Sequence, residues 1–209
     1  MQKKYSLKNT TYIDNNNKTI VKNTNSILVL INKERNLPSD YKPKDLVIPN
    51  IRFPFKEDLP KKKLRKVAAT SLEKMFNGAD KKGIYLFGAS GYRSYNRQKV
   101  LFDSYSKRYG KKAANKFSAK PGQSEHQTGL VMDVTSQSVG FRLKEKFGQT
   151  KEGKWIKKNA HEYGFIVRYP KGKEDITGYQ YEPWHIRYVG KEVAENIYEN
   201  NITLEEFFS

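Results

Sequence analysis

Apolar residues recur along this chain with two different periods, and the change from one to the other marks its elements. Leu64, Val67, Ala68, Leu72, Met75 and Phe76 fall at helical spacing. With Pro60 suited to a first turn, they predict a helix from Pro60 to Phe76, stopped by Asn77-Gly78. Ser94 is placed to cap a second helix that runs through Tyr109 and ends at Gly110. A third is predicted over Lys151–Tyr163, and a terminal one over Lys191–Asn200 with Val193, Ala194, Ile197 and Tyr198 inward. Short apolar runs at Ser26–Ile31, Ile84–Phe87, Leu130–Val134, Phe165–Tyr169 and His185–Val189 predict strands. Pro38, Pro43, Pro49 and Pro54 mark the stretch before the first helix as irregular. Residues 1–25 are polar and weakly periodic, so a polar N-terminal arm (1–25) is expected before one domain (26–209). The class is α+β: a single domain with a small, mostly antiparallel sheet flanked by helices.

Composition narrows what such a domain does. The chain has 209 residues with 40 Lys+Arg against 22 Asp+Glu, a formal charge of +18. A 36% hydrophobic content with 25 Phe+Tyr excludes a disordered chain. No apolar run approaches the ~20 residues of a membrane helix, and Met1–Ser6 does not lead into the apolar segment of a signal peptide. The absence of cysteine excludes disulfides, thiolate metal sites and cysteine nucleophiles. The positive charge implies polyanionic surroundings. Of the basic residues 31 are Lys and 9 are Arg, whereas base reading favours Arg, so no specific nucleic acid is expected. Lys61–Lys63 with Arg65 and Lys66 share a segment with the apolar stripe of the first helix and read as its solvated face.

Asp133 is the first residue to suggest chemistry. Period two in Leu130–Val134 puts Leu130, Met132 and Val134 on one face and Val131 and Asp133 on the other. A carboxylate in an apolar strand needs a cation or several donors; alternatively it caps a turn with Thr135 and Ser136. His126 lies seven residues earlier in a polar loop, and His185 opens an apolar-aromatic strand beside Trp184 and Tyr188, as a core histidine also would. The remaining histidine, His161, sits near a helix end beside Lys157 and Lys158 and reads as surface. Two imidazoles and one carboxylate make a three-ligand zinc site with a fourth position for water. Such a site also needs a nearby carboxylate for proton transfer. Glu182 is the candidate, provided that Pro183 bends the strand enough to turn Glu182 and His185 the same way. Arg93, at a strand-to-helix turn, offers a cation for a developing oxyanion, with Asn96 and Gln98 further along.

Three stretches carry a resemblance. They are Ser90-Gly-Tyr-Arg-Ser-Tyr-x-x-Gln98, Pro121-Gly-x-Ser-Glu-His-Gln-Thr-Gly-Leu-x-x-Asp-Val134 and Tyr163-Gly-Phe-Ile-x-Arg-Tyr-Pro-x-Gly-Lys173, the last continued by Thr177-Gly-Tyr-x-Tyr-Glu-Pro-Trp-His-x-Arg-Tyr-Val-Gly190. Together they resemble the LdcB/VanY-type bacterial D-alanyl carboxypeptidases, and the likeness extends over roughly residues 26–200. The resemblance implies a zinc peptidase, its metal in a cleft, that trims D-Ala from peptidoglycan stem peptides. It implies His126, Asp133 and His185 on Zn2+ and Glu182 as catalytic base and acid. Arg93 would polarise the scissile carbonyl. Ser124 and Gln98 would hold the substrate, and Tyr92, Tyr181 and Trp184 would line its groove. The Glu125–Gly129 wording resembles the L,D-type, cutting tetrapeptides; a D,D-enzyme on pentapeptides and a stem endopeptidase are the enzymatic alternatives. The non-enzymatic alternative is a basic wall-binding module with a structural zinc closed by Glu182 or His161. The family implies an extracytoplasmic place, in the wall or anchored at the membrane surface of a Gram-positive bacterium, where anionic wall polymers would match the charge.

Overall fold

Two short hairpins come first in the computed structural model, which describes residues 6–209. β1 (Thr11–Ile13) pairs antiparallel with β2 (Thr19–Val21). Asp14 Oδ1 holds the turn between them by accepting from the backbone N–H groups of Asn16 and Lys18. The segment expected as a polar arm thus contains a hairpin, and its Val21 packs into the main core; residues 1–5 lie outside the described chain. β3 (Leu46–Val47) pairs with β4 (Leu64–Arg65).

The Ser26–Ile31 run is buried from Val29 onward but is not a strand. Its carbonyls go to guanidinium groups instead of a ladder. Arg187 Nη2 donates to Ile27 and Val29, and Arg35 Nε to Leu30. The first helix also differs from expectation. Pro60–Lys62 is a separate 3-10 turn, β4 follows, and α1 spans Lys66–Asp80. Extended backbone wins before Lys66 because it has partners elsewhere: the carbonyls of Lys61 and Lys63 accept from Gly91 and Tyr92, and Arg65 N–H donates to Gly129. At its other end α1 runs on through Gly78, where a Cβ would collide with the Tyr163 hydroxyl.

The rest of the chain builds the sheet and its cover. β5 is Phe87–Ser90, three residues later than expected. α2 (Tyr95–Tyr109) begins as predicted, with Ser94 Oγ accepting from Arg97 N–H, and ends at Gly110 with φ 82°. α3 (Lys111–Phe117) folds back beside it. β6 (Val131–Thr135), α4 (Lys151–Asn159), β7 (Phe165–Tyr169), the single turn α5 (Glu174–Thr177), β8 (Glu182–Tyr188), α6 (Lys191–Glu199) and α7 (Leu204–Phe207) complete the order. The sheet runs β5-β6-β8-β7, antiparallel at every pairing. Leu130, Met132 and Val134 enter one core with Leu72, Met75, Phe76, Ile156 and Ile186. A smaller core joins Ile166, Val189, Val193, Ile197 and Leu204. The apolar face of β6 is therefore the face that alternation assigned, which turns Asp133 to the opposite side.

Candidate active site

Strand pairing assembles the site from distant parts of the sequence. Asp133 on β6 faces His185 on β8 in register and Ser90 on β5 across a bulge. His126 comes from a 3-10 turn (Glu125–Thr128) that ends at Gly129, whose φ of 67° favours glycine. Its Nε2 lies 3.4 Å from Asp133 Oδ2, and His185 Nδ1 lies 3.1 Å from Asp133 Oδ1. A second irregularity sets Glu182. The three residues Val167–Tyr169 of β7 oppose the five residues Glu182–Ile186 of β8, so β8 bulges in the stretch that contains Pro183. That bend turns Glu182 Oε2 to within 3.5 Å of His185 Nδ1.

The protonation pattern shows what the cluster fits. His126 Nδ1 is 2.7 Å from the Gly91 carbonyl, which only accepts, so that nitrogen carries the hydrogen. Burial and the Arg93 charge push His126 down to about 3, leaving it neutral with a lone pair on Nε2 facing a carboxylate oxygen. Burial alone would raise Asp133, but His126, His185 and Arg93 hold it below the usual range. Burial would lower His185, yet the neighbouring carboxylates of Asp133 and Glu125 raise it to about 9. Asp133 Oδ1 is buried without a well-formed hydrogen bond. One donor atom from each of His126, Asp133 and His185 lies within 4.8 Å of the others. At His126 Nε2 and Asp133 Oδ2, 3.4 Å apart, two lone pairs face each other in a buried site and repel unless a cation stands between them. Two imidazoles and a carboxylate are a donor set for zinc, and the residues present fit that ion.

A cleft of about 360 Å³ opens over this cluster, and Arg93, Ser124, Glu182, Trp184, Tyr169 and Tyr179 contribute to its walls. Arg93 is held by Nη1 to Gln98 Oε1 at 2.9 Å and Nη2 to Ser90 Oγ at 3.1 Å. Burial lifts the Glu182 carboxyl to about 7 against the opposing pull of His185.

Three expected substrate contacts stand elsewhere. Gln98 lies behind Arg93, its amide donating to Ala119 O at 2.6 Å and Ser118 Oγ at 3.3 Å, and is not part of the cleft wall. Tyr92 is buried away from the cleft, since neighbours in extended chain face opposite ways. Tyr181 turns its hydroxyl onto Gly148. His161 is remote from the cluster and stacks on Tyr198 with ring centroids 3.7 Å apart.

Sequence reasoning passed over the residues behind the ligands. Glu125 is fully buried; its Oε1 accepts from Arg168 Nε at 2.9 Å and Arg187 Nη1 at 2.7 Å. Burial opposes its ionisation, but the two guanidiniums overcome this and keep it well below the usual carboxylate range. The available signal was Arg168 and Arg187, charged residues inside otherwise apolar strands.

A metal-ligand set with a free carboxylate and a guanidinium in one cleft is the equipment of a metal-dependent hydrolase. Comparison with known proteins narrows that class to a peptidase. Residues 61–191 match the VanY family, described as D-alanyl-D-alanine carboxypeptidase, and the chain belongs to that family. It is 54% identical to YodJ of Bacillus subtilis (strain 168), named as a carboxypeptidase, over 90% of this chain and 69% of that protein. Its structure superposes on that of the LdcB LD-carboxypeptidase with a TM-score of 0.92 at 51% identity, covering 98% of this chain and 97% of the other. Against a variant of the D,D-pentapeptidase VanY from a VanB-type resistance cassette, solved in complex with Zn(II), the TM-score is 0.71 at 31% identity, covering 87% and 98%.

Proposed function

We propose that the chain is a zinc carboxypeptidase that removes the C-terminal D-Ala of peptidoglycan stem peptides, acting as an L,D-enzyme on tetrapeptides. The observation that carries this reading is the convergence of His126, Asp133, His185 and Glu182 in one cleft with Arg93 in its wall. His126, Asp133 and His185 hold the metal. Bound there, zinc would supply Lewis-acid polarisation of the carbonyl and a lowered pKa for water. Glu182 takes the proton of the attacking water and returns it to the leaving amine. Its carboxyl, brought by burial to about 7, is suited to both directions of transfer. Arg93 steadies the developing oxyanion: two of its five N–H groups bind Gln98 and Ser90, which leaves three for substrate oxygens. Gln98 acts through Arg93, and Ser124 and Trp184 contact the chain end.

The L,D-assignment rests on the closeness to LdcB, and the D,D-alternative on the family match. Incubation of zinc-loaded protein with matched tetra- and pentapeptides, followed by mass spectrometry, separates them. The expected product is tripeptide from the tetrapeptide; exclusive turnover of the pentapeptide would reverse the assignment. The same reading gives the charge of +18 a partner, the anionic polymers of a Gram-positive wall, and places the enzyme outside the cytoplasm. No helix among the described residues is long and apolar enough to cross a membrane.

A further inference from the structure

Behind the cleft, two buried atoms face each other with no other partner. Glu125 Oε2 and His185 Nε2 are 3.6 Å apart, and neither has a hydrogen bond elsewhere. That distance is longer than a relaxed hydrogen bond. We propose that Glu125 is a positioning residue that accepts the Nε2 proton of His185 and thereby commits Nδ1 to the metal. The inference rests on the reading of His185 as a ligand.

The geometry around Glu125 supports that division of labour. Both guanidiniums bind the same oxygen, Oε1, and leave Oε2 to the imidazole. Each arginine is itself fixed on the far side. Arg187 Nη2 donates to the Ile27 and Val29 carbonyls at 2.9 and 2.8 Å, and its Nε to Tyr188 O at 3.0 Å. Arg168 Nη1 and Nη2 grip both oxygens of Glu205 on α7, at 2.7 and 2.6 Å. Two carboxylates and two guanidiniums make a neutral, largely buried group whose charge is balanced without the metal ligands. The irregular Ser26–Ile31 run, through Arg187, and α7, through Arg168, thus serve the same purpose. A carboxylate whose Oε1 is held by two anchored guanidiniums resists turning with the imidazole, and the imidazole must align with it.

The test uses the full chain and zinc alone. Competition with a chromophoric chelator should show Glu125→Gln, still folded by circular dichroism, binding zinc ~10–100-fold more weakly than the wild type, as expected for a residue that orients a ligand. Unchanged affinity in a folded variant overturns the proposal. His185→Ala in the same assay checks the ligand reading separately, since undiminished zinc there sinks that reading instead. Should Glu125→Gln fail to fold, nitrogen NMR of the zinc-loaded wild type decides. A slowly exchanging proton on His185 Nε2 supports the assignment, and a proton on Nδ1 rejects it.

Discussion

Asp133 and His185 stand opposite each other on adjacent antiparallel strands, with His185 Nδ1 3.1 Å from Asp133 Oδ1. Backbone pairing alone therefore fixes two donors of the site. A slip of one residue between β6 and β8 would turn His185 into the core and Ile186 into the cleft. The large buried face of β6 is what forbids the slip. His126 is added from a turn whose own carbonyl accepts from Arg93 N–H, so ligand and guanidinium are placed by one short connection.

Metal content tests this arrangement directly. His126→Ala and His185→Ala should each lose most of the zinc found by elemental analysis in the wild type. His161→Ala should keep it, because that ring stacks on Tyr198 outside the site. Full zinc retention in either of the first two variants would remove that residue from the ligand set.

Glu182→Gln keeps the shape of the side chain and removes its proton chemistry. Zinc content and thermal stability should stay near wild type, while turnover falls by ~10²–10⁴-fold, the usual cost of losing a general base. Turnover close to the wild-type rate would show that the proton is handled by another group.

Gly91 links the site to its scaffold. Its carbonyl holds His126 Nδ1, and its N–H donates to Lys61 O at 2.6 Å. A Cβ there would meet Lys63 O at 2.5 Å, a backbone atom that moves only with the chain leading into β4. Gly91→Ala should cost about 1–3 kcal/mol in urea unfolding of the metal-free protein, and it should also weaken zinc binding. A variant with wild-type stability and zinc affinity would mean that the Lys61–Lys63 strap yields freely.

The sequence was most legible where one local pattern decided the outcome. Phe165–Tyr169 is the strand that its apolar run predicts, and Ser94 caps α2 as expected. The face of β6 followed from alternation, and the bend at Pro183 from proline stereochemistry. Legibility failed where long-range hydrogen bonds outbid local preference. Ser26–Ile31 lacks a ladder because Arg187, some 160 residues away, takes its carbonyls. Lys63 and Arg65 are extended because the chains at Tyr92 and Gly129 pair with them. In the site, residue types at motif positions were readable, but side-chain direction was not. Gln98 reads like a substrate donor until its amide is seen bound to Ala119 and Arg93.

The end of the substrate supplies the last prediction. A carboxypeptidase must recognise a free carboxylate, and the cleft wall offers the Arg93 guanidinium and the buried Ser124 for it. Arg93 is anchored through Gln98 and Ser90, so its remaining N–H groups are held in place before the substrate arrives. Amidation of the terminal carboxylate removes a charge and exchanges charge-assisted hydrogen bonds for neutral ones, which are roughly half as strong. A hydrogen bond to a charged group contributes about 1.5–3 kcal/mol, so kcat/KM should fall at least about tenfold. Arg93→Lys should erase most of the difference between acid and amide, since a point charge lacks the planar fork that matches a carboxylate. The measurement compares rates on a stem tetrapeptide ending in D-Ala and on its amide. Equal rates, with cleavage inside the stem, would make the protein an endopeptidase, because an enzyme that cuts within a chain has no use for a free end.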